Sequence, residues 1–134
     1  MTFTGTILVV DDEPHIRKFV TLILKQQGYR SILEAGNGED ALATYEREKP
    51  ALVLMDVNMP ILDGIETLGR LKQLDPEAVV IMLTSLVNRE TIERALQLGA
   101  VNYIRKDTPK DEIGQALRET IADCFGDQTE PSSP

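Results

Sequence analysis

The chain has 134 residues, 22 of them acidic and 14 basic, for a formal charge of −8, and its pI is near 4.6. That length suits one domain around one core, and the acidic balance argues against a surface that grips nucleic acid or an anionic membrane through clustered Lys and Arg. The longest apolar runs, such as Ala78 to Leu83, fall far short of the roughly 20 residues of a membrane-spanning helix. Met1-Thr-Phe-Thr-Gly5 lacks the basic-then-apolar order of a signal peptide, so a cytoplasmic protein is expected.

Ile7-Leu-Val-Val10 is a short apolar run rich in β-branched residues that stops at Asp11-Asp12-Glu13-Pro14, the mark of a buried strand entering an acidic turn. Pro14 suits the first position of a helix, and Ile16, Phe19, Val20, Ile23 and Leu24 recur at helical spacing before Gly28. Ser31 to Glu34 is a weaker strand, as expected at a sheet edge. Asn37-Gly38-Glu39-Asp40 offers an N-cap and an acidic first turn for a second helix that reaches Lys49. Pro50 breaks the helical pattern, Ala51 to Met55 restores strand character, and Asp63-Gly64 opens a third helix packed through Ile65, Leu68 and Leu71 and ended by Pro76.

Ala78 to Leu83 is the clearest buried strand and stops at Thr84-Ser85, after which Asn88 caps a fourth helix that runs to Gly99. Val101 to Ile104 forms a fifth strand. Thr108-Pro109, with Asp111 shortly after, starts a last helix whose apolar stripe is Ile113, Ala116, Leu117, Ile121, Cys124 and Phe125. Cys124, the single cysteine, falls on that stripe, so a packing role is expected of it. Gly126 to Pro134 carries no apolar side chain beyond proline and is expected to be a disordered tail, leaving residues 1–125 as the domain.

Five strands alternating with five helices imply an α/β fold, a doubly wound five-stranded parallel sheet. The weak second strand belongs at an edge and the three strongly apolar runs in the middle, which favours the order 2-1-3-4-5 of flavodoxin-like sheets. That order sets Asp11 and Asp12 beside Asp56, with Thr84 ending strand four and Lys106 just past strand five. A lone Asp after a strand more often caps a turn, and Thr84 or Lys106 alone would suit a local backbone bond or a solvated charge. Five such groups at the carboxyl ends of successive strands are poorly explained that way.

Three crowded carboxylates repel, so they bind a cation, take up protons or lower stability. An all-oxygen donor set at an open turn suits Mg²⁺ or Mn²⁺ rather than zinc. A carboxylate beside such an ion and an ammonium has the parts for phosphoryl transfer: Asp56 as nucleophile, the ion and Lys106 to neutralise phosphate oxygens, and Thr84 to donate to another oxygen.

In Val10-Asp-Asp-Glu-Pro14, Met55-Asp56-Val-Asn-Met-Pro60 with Asp63-Gly64, Thr84-Ser85, Gly99-Ala100-Val-Asn-Tyr103 and Lys106, the chain resembles the CheY-like receiver domains of two-component response regulators. The resemblance runs from about Thr6 to Phe125. It implies that Asp56 accepts a phosphoryl group from a histidine kinase or phosphotransfer protein. It also implies that Asp12, Asp56 and the Asn58 backbone carbonyl hold Mg²⁺, with Asp11 acting through water, and that Thr84 and Lys106 contact the phosphoryl oxygens. Thr84 and Tyr103 would form the switch, repacking the face of helix four, strand five and helix five toward a target protein, a fused output domain or a second copy. The family usually has Pro after this Lys, whereas Asp107 follows here. A trans bond is expected at Lys106-Asp107, because a cis bond before a non-proline residue costs roughly 3 kcal/mol. The path of that loop, and whether the chain stands alone or belongs to a longer regulator, stay open.

Helix four supports a partner surface independently. Thr91, Ala95 and Leu98 face the core, but Ile92 and Leu96 widen the apolar arc beyond what a surface helix needs, next to Arg89 and Tyr103. Asn58 and Leu86, two residues beyond Asp56 and Thr84, are expected to line the approach of water, and Leu86 cannot orient it, so fast self-dephosphorylation is not expected. His15 at the start of helix one is expected to be merely solvated. The chain is expected to be a signalling switch that catalyses only its own phosphorylation and dephosphorylation. A phosphohydrolase with an aspartyl nucleophile would need a general acid where Asn58 stands. A flavin-binding relative of the fold would not place Asp11-Asp12-Glu13 against a phosphate.

Overall fold

The computed structural model describes residues 5–85 and 88–126. In chain order the elements are β1 (Ile7–Val10), α1 (Pro14–Gln26), β2 (Ile32–Ala35), α2 (Gly38–Glu48), β3 (Leu52–Met55), α3 (Gly64–Leu74), β4 (Val80–Thr84), α4 (Arg89–Gln97), β5 (Asn102–Arg105) and α5 (Lys110–Phe125). The strands form one sheet in the order β2-β1-β3-β4-β5, and every pairing is parallel. Among the described residues no helix is long and apolar enough to cross a membrane. Leu86 and residues 127–134 of the expected tail lie outside the described residues.

Alternation along the strands divides the interior into two cores. Leu8, Val10, Val53, Met55, Val80 and Met82 point to one face and pack with Ala41 and Tyr45 of α2, Leu68 and Leu71 of α3 and Ala95 of α4. Ile7, Val9, Leu52, Leu54, Ile81 and Leu83 point to the other and pack with Val20, Ile23 and Leu24 of α1 and Ile113, Leu117 and Ile121 of α5. The central strands, fully buried on both faces, are therefore the near-continuous apolar runs of the sequence.

The capping residues act where the sequence places them. Asn37, Asp63 and Asn88 each accept a hydrogen bond from the backbone N–H three residues on, satisfying donors that a helix start leaves unpaired. Gly28 and Gly99, at φ 97° and 108°, end α1 and α4 in the left-handed region that a side chain disfavours.

Several expectations need correction. β2, β3 and β5 each begin one residue later than their apolar patterns suggest, at Ile32, Leu52 and Asn102, and β2 and β5 also end one residue later. β4 begins at Val80 rather than Ala78 and takes in polar Thr84: the Ala78 N–H closes a turn on the Asp75 carbonyl at 3.0 Å and its carbonyl accepts from the Lys72 ammonium at 2.9 Å, while Thr84 stays in the ladder opposite Arg105. The last helix, expected to start at Thr108-Pro109, begins at Lys110, with Pro109 as its N-cap at extended ψ and no side-chain cap. Phe19 is 39% exposed, so it leaves the core stripe of α1. Cys124 is also exposed, near the end of α5, and partial burial with the Asp123 charge pushes its thiol pKa up.

Away from the carboxyl edge, the buried Tyr45 hydroxyl donates to the Asp75 carboxylate at 2.7 Å, tying α2 to the end of α3. That bond, with a second from the Glu77 amide, holds the Asp75 pKa below its ordinary value. A carboxyl group depressed by folding adds stability above its unfolded pKa and loses it as pH falls through the folded one. Tyr45→Phe should therefore be less stable than the parent in urea unfolding at pH 7, and the gap should narrow as pH falls below about 4.

Candidate functional site

The ladders continue one residue beyond the strands, and those residues carry the chemistry. The Asp11 N–H donates to the Ala35 carbonyl at 3.2 Å, the Asp56 N–H to the Val10 carbonyl at 3.0 Å and the Lys106 N–H to the Thr84 carbonyl at 3.0 Å. Each polar side chain thus leaves a backbone position fixed by the preceding strand's partner. Carboxylate oxygens of Asp11, Asp12 and Asp56 lie within 4.8 Å of one another. Asp11 and Asp56 are each 3% exposed, while Asp12 is open to solvent.

Lys106 reaches into this cluster. Its ammonium is 2.5 Å from Asp11 Oδ2 and 3.2 Å from Asp56 Oδ2. With Asp11 and Asp56 less than 5 Å apart, their mutual repulsion at an effective dielectric near 20 is roughly 3 kcal/mol, so a cation between them has an electrostatic purpose. Burial raises the Asp11 pKa despite the lysine and the Glu13 amide: the cost of removing that carboxylate from water exceeds what its partners return. Burial also opposes the Lys106 charge, but the hydrogen bond to Asp11 and the charges of both aspartates outweigh it, and its pKa is raised. No cis peptide bond occurs among the described residues, Lys106-Asp107 included.

Asp11 is held on every side. Besides its backbone N–H bond, Oδ1 accepts from the Glu13 N–H at 3.0 Å and its carbonyl accepts from Arg17 at 2.6 Å. Asp56 Oδ1 accepts from the Asn58 N–H at 3.3 Å, which curls the β3–α3 loop over the acid. Gly64 closes that loop, its N–H bonded to the Val57 carbonyl at 2.8 Å. A Cβ at Gly64 would overlap the Asp56 carbonyl oxygen and stand 2.8 Å from Val57 Cα.

The remaining expected residues are distributed as follows. Thr84 is fully buried at the end of β4. Tyr103 is half-buried on β5, paired in register with Met82, and burial together with the Asp56 charge raises its pKa. On α4, Ile92 is half-buried and Leu96 is 48% exposed. Arg89 is exposed and pairs with Glu93 along the helix at 3.1 Å. His15 is exposed at the start of α1. The sequence reading missed Arg17 and the close approach at Gly64. An arginine inside the first turns of an otherwise apolar-striped helix was the available signal for the first, and a glycine at the first position of a helix for the second.

The donor set tests well for a hard divalent cation: oxygen atoms only, two carboxylates buried and one at the open side, in a cluster of carboxylates alone. A doubly wound sheet with such a cluster and a lysine at its carboxyl edge defines a class of α/β domain with a crowded acidic site at the strand ends. The chain belongs to the response regulator receiver domain family, whose model matches residues 7–118, and it is thus a receiver domain of two-component signalling. It is 36% identical over 115 residues to the chemotaxis protein CheY of Bacillus subtilis, covering 86% of this chain and 96% of that protein. It is likewise 36% identical over 115 residues to sporulation initiation phosphotransferase F of the same organism, covering 86% and 92%. In three dimensions it matches a chain of the CheX-CheY-BeF3-Mg²⁺ complex from Borrelia burgdorferi with a TM-score of 0.82 and 29% identity, over 87% of this chain and 88% of that one.

Gly64→Ala should force the β3–α3 loop off the Asp56 carbonyl, since backbone rather than a flexible side chain blocks the methyl group. Urea unfolding should show a loss of about 1–3 kcal/mol, and the Asp56 and Asn58 amide resonances should move.

Proposed function

We propose that the domain is a phosphorylation-controlled switch in which Asp56 is the acceptor. The observation that carries this reading is the buried Asp56 carboxylate held beside Asp11, Asp12 and the Lys106 ammonium. An Asp56 oxygen attacks the phosphorus of a donor's phosphohistidine; the new O–P bond forms as the P–N bond breaks, and the imidazole leaves with the electron pair. Asp11, Asp12, Asp56 and the Asn58 backbone carbonyl would hold Mg²⁺, or Mn²⁺ in its place, Asp11 through water. Such an ion, when bound, neutralises charge on phosphate oxygens and offsets the repulsion among the aspartates. Lys106 takes up the charge on a second phosphoryl oxygen, and Thr84 donates its hydroxyl to a third.

The same site catalyses its own phosphorylation and dephosphorylation and turns over no metabolite. The donor is a sensor histidine kinase or a phosphotransfer protein. Output runs through Thr84 and Tyr103 to a face of α4, β5 and α5 that includes Arg89, Ile92, Leu96 and Tyr103. That face engages a target protein, a fused output domain or a second copy, without contact to nucleic acid or membrane, in the cytoplasm. The half-exposed apolar rim of α4 and the electrostatic influence of Asp56 on Tyr103 support this assignment.

Incubation with Mg²⁺ and a small acyl-phosphate donor should add one phosphoryl mass to the intact chain. Asp56→Asn and chelation of the metal should each abolish the adduct; an adduct that survives either one removes the reading. Lys106→Met should slow uptake on the order of 100-fold, the usual scale for loss of one group aimed at transition-state charge. Phosphorylation should also shift the amide resonances of Ile92, Leu96 and Tyr103, and an unchanged α4–β5 spectrum would show that output leaves by another face.

A further inference from the structure

Arg17 stands in the second turn of α1, yet it points neither into a core nor into open water. Its side chain is 19% exposed, and Nε donates to Glu34 Oε1 on β2 at 3.0 Å. Its NH1 group donates to the Asp11 carbonyl oxygen at 2.6 Å. A side chain at Gly36 would crowd this fork, since a Cβ there would lie 3.3 Å from the NH1 atom. The guanidinium thus bridges the end of the edge strand and the first residue of the acidic turn.

The bond to a carbonyl, rather than to a carboxylate, decides what Arg17 does. The Asp11 carbonyl and the Asp12 N–H belong to one planar peptide unit. Fixing that carbonyl fixes the plane from which Asp12 departs. Asp11 has its carboxylate oxygens held by Glu13 and Lys106. Asp12 is exposed, so its placement depends on the backbone that leads into it. A rigid, forked donor can hold two acceptors at a set angle, whereas a lysine supplies one point charge on a flexible stem.

We propose that Arg17, held by Glu34, is a positioning residue for the divalent-cation site: it sets the Asp11-Asp12 peptide so that the Asp12 carboxylate meets the ion without reorganisation. The inference rests on the Mg²⁺-dependent reading above. It also makes β2 responsive to the ion, because the guanidinium that orients the turn is tied to Glu34.

The test is a Mg²⁺ titration of the full chain followed by the amide resonances of Asp12, Glu34 and Gly36, run on the parent, Arg17→Lys, Arg17→Met and Glu34→Gln. Arg17→Met should weaken Mg²⁺ affinity about tenfold, as expected for loss of a group that orients a metal ligand. It should also abolish the ion-induced shifts at Glu34 and Gly36. Arg17→Lys should restore only part of the affinity, and Glu34→Gln should weaken binding several-fold with the sheet intact. Arg17→Met affinity within twofold of the parent, with only the unfolding midpoint lowered, would overturn the proposal and leave Arg17 as a structural tie. If Arg17→Met does not fold, Glu34→Gln decides: unchanged affinity and unchanged β2 shifts overturn it. A parent chain that binds no Mg²⁺ overturns both readings, whereas a binding parent matched by Arg17→Met overturns this one alone.

Discussion

Two buried carboxylates share one ammonium at the carboxyl edge of the sheet, and the rest of the structure is arranged to tolerate that. Asp11 and Asp56 would separate if their backbones were free, because their repulsion is comparable to a sizeable part of a domain's net stability. They are kept together by ladder bonds that extend the sheet one residue past β1 and β3, and the strands are locked by apolar cores on both faces. The cores are therefore what make a crowded acidic site possible. A site assembled on free loops would relax by moving one aspartate into water. Here relaxation requires a cation or a proton.

The same arrangement explains how a change at Asp56 would be felt elsewhere. Lys106 contacts both acids with its ammonium and Thr84 with its backbone N–H. Thr84 in turn pairs with Arg105, and Met82 with Tyr103, in the β4–β5 ladder. Altering the charge on Asp56 changes the balance of forces on Lys106 at one end of this short path and the field at the Tyr103 hydroxyl at the other. A two-state switch needs a ligand that favours one arrangement over the other. The proposed phosphoryl group would do so by drawing Thr84 and Lys106 toward itself, since both already border the acceptor's strand end.

How much of this could be read from the chain follows from which forces act locally. Apolar runs and helix starts are local, so the five strands, the caps Asn37, Asp63 and Asn88 and the sheet order were legible. So was the convergence of Asp11, Asp12, Asp56 and Lys106, which depends only on strand ends and order. Strand boundaries were less legible because backbone pairing, not hydrophobicity, decides them: Ala78 is apolar but gives its carbonyl to Lys72, while polar Thr84 stays in the ladder. Phe19 and Cys124 match the periodicity of their helices, yet the neighbouring elements do not cover them. Arg17 and Gly64 were invisible for another reason. Their significance lies in backbone atoms of Asp11, Asp56 and Val57, which no side-chain pattern reports.

Lys106 reaches the carboxylates although Asp107, not the family's usual proline, follows it. With Asp107 rather than proline after it, the loop had no local device to fix the lysine's direction. The structure supplies two others. The Lys106 N–H is bound to the Thr84 carbonyl, so the residue's height above the sheet is set by strand register. Arg105 and Asp107, on either side, pair with each other at 2.6 Å on the exposed surface. Lys106 and Asp107 lie in a turn closed by the Thr108 N–H on the Arg105 carbonyl at 3.2 Å, and the ammonium is anchored by its ion pairs with Asp11 and Asp56. The position of the ammonium is thus set by the register of β5, by the turn that follows it and by the two carboxylates it meets, and the residue after the lysine enters through its ion pair with Arg105.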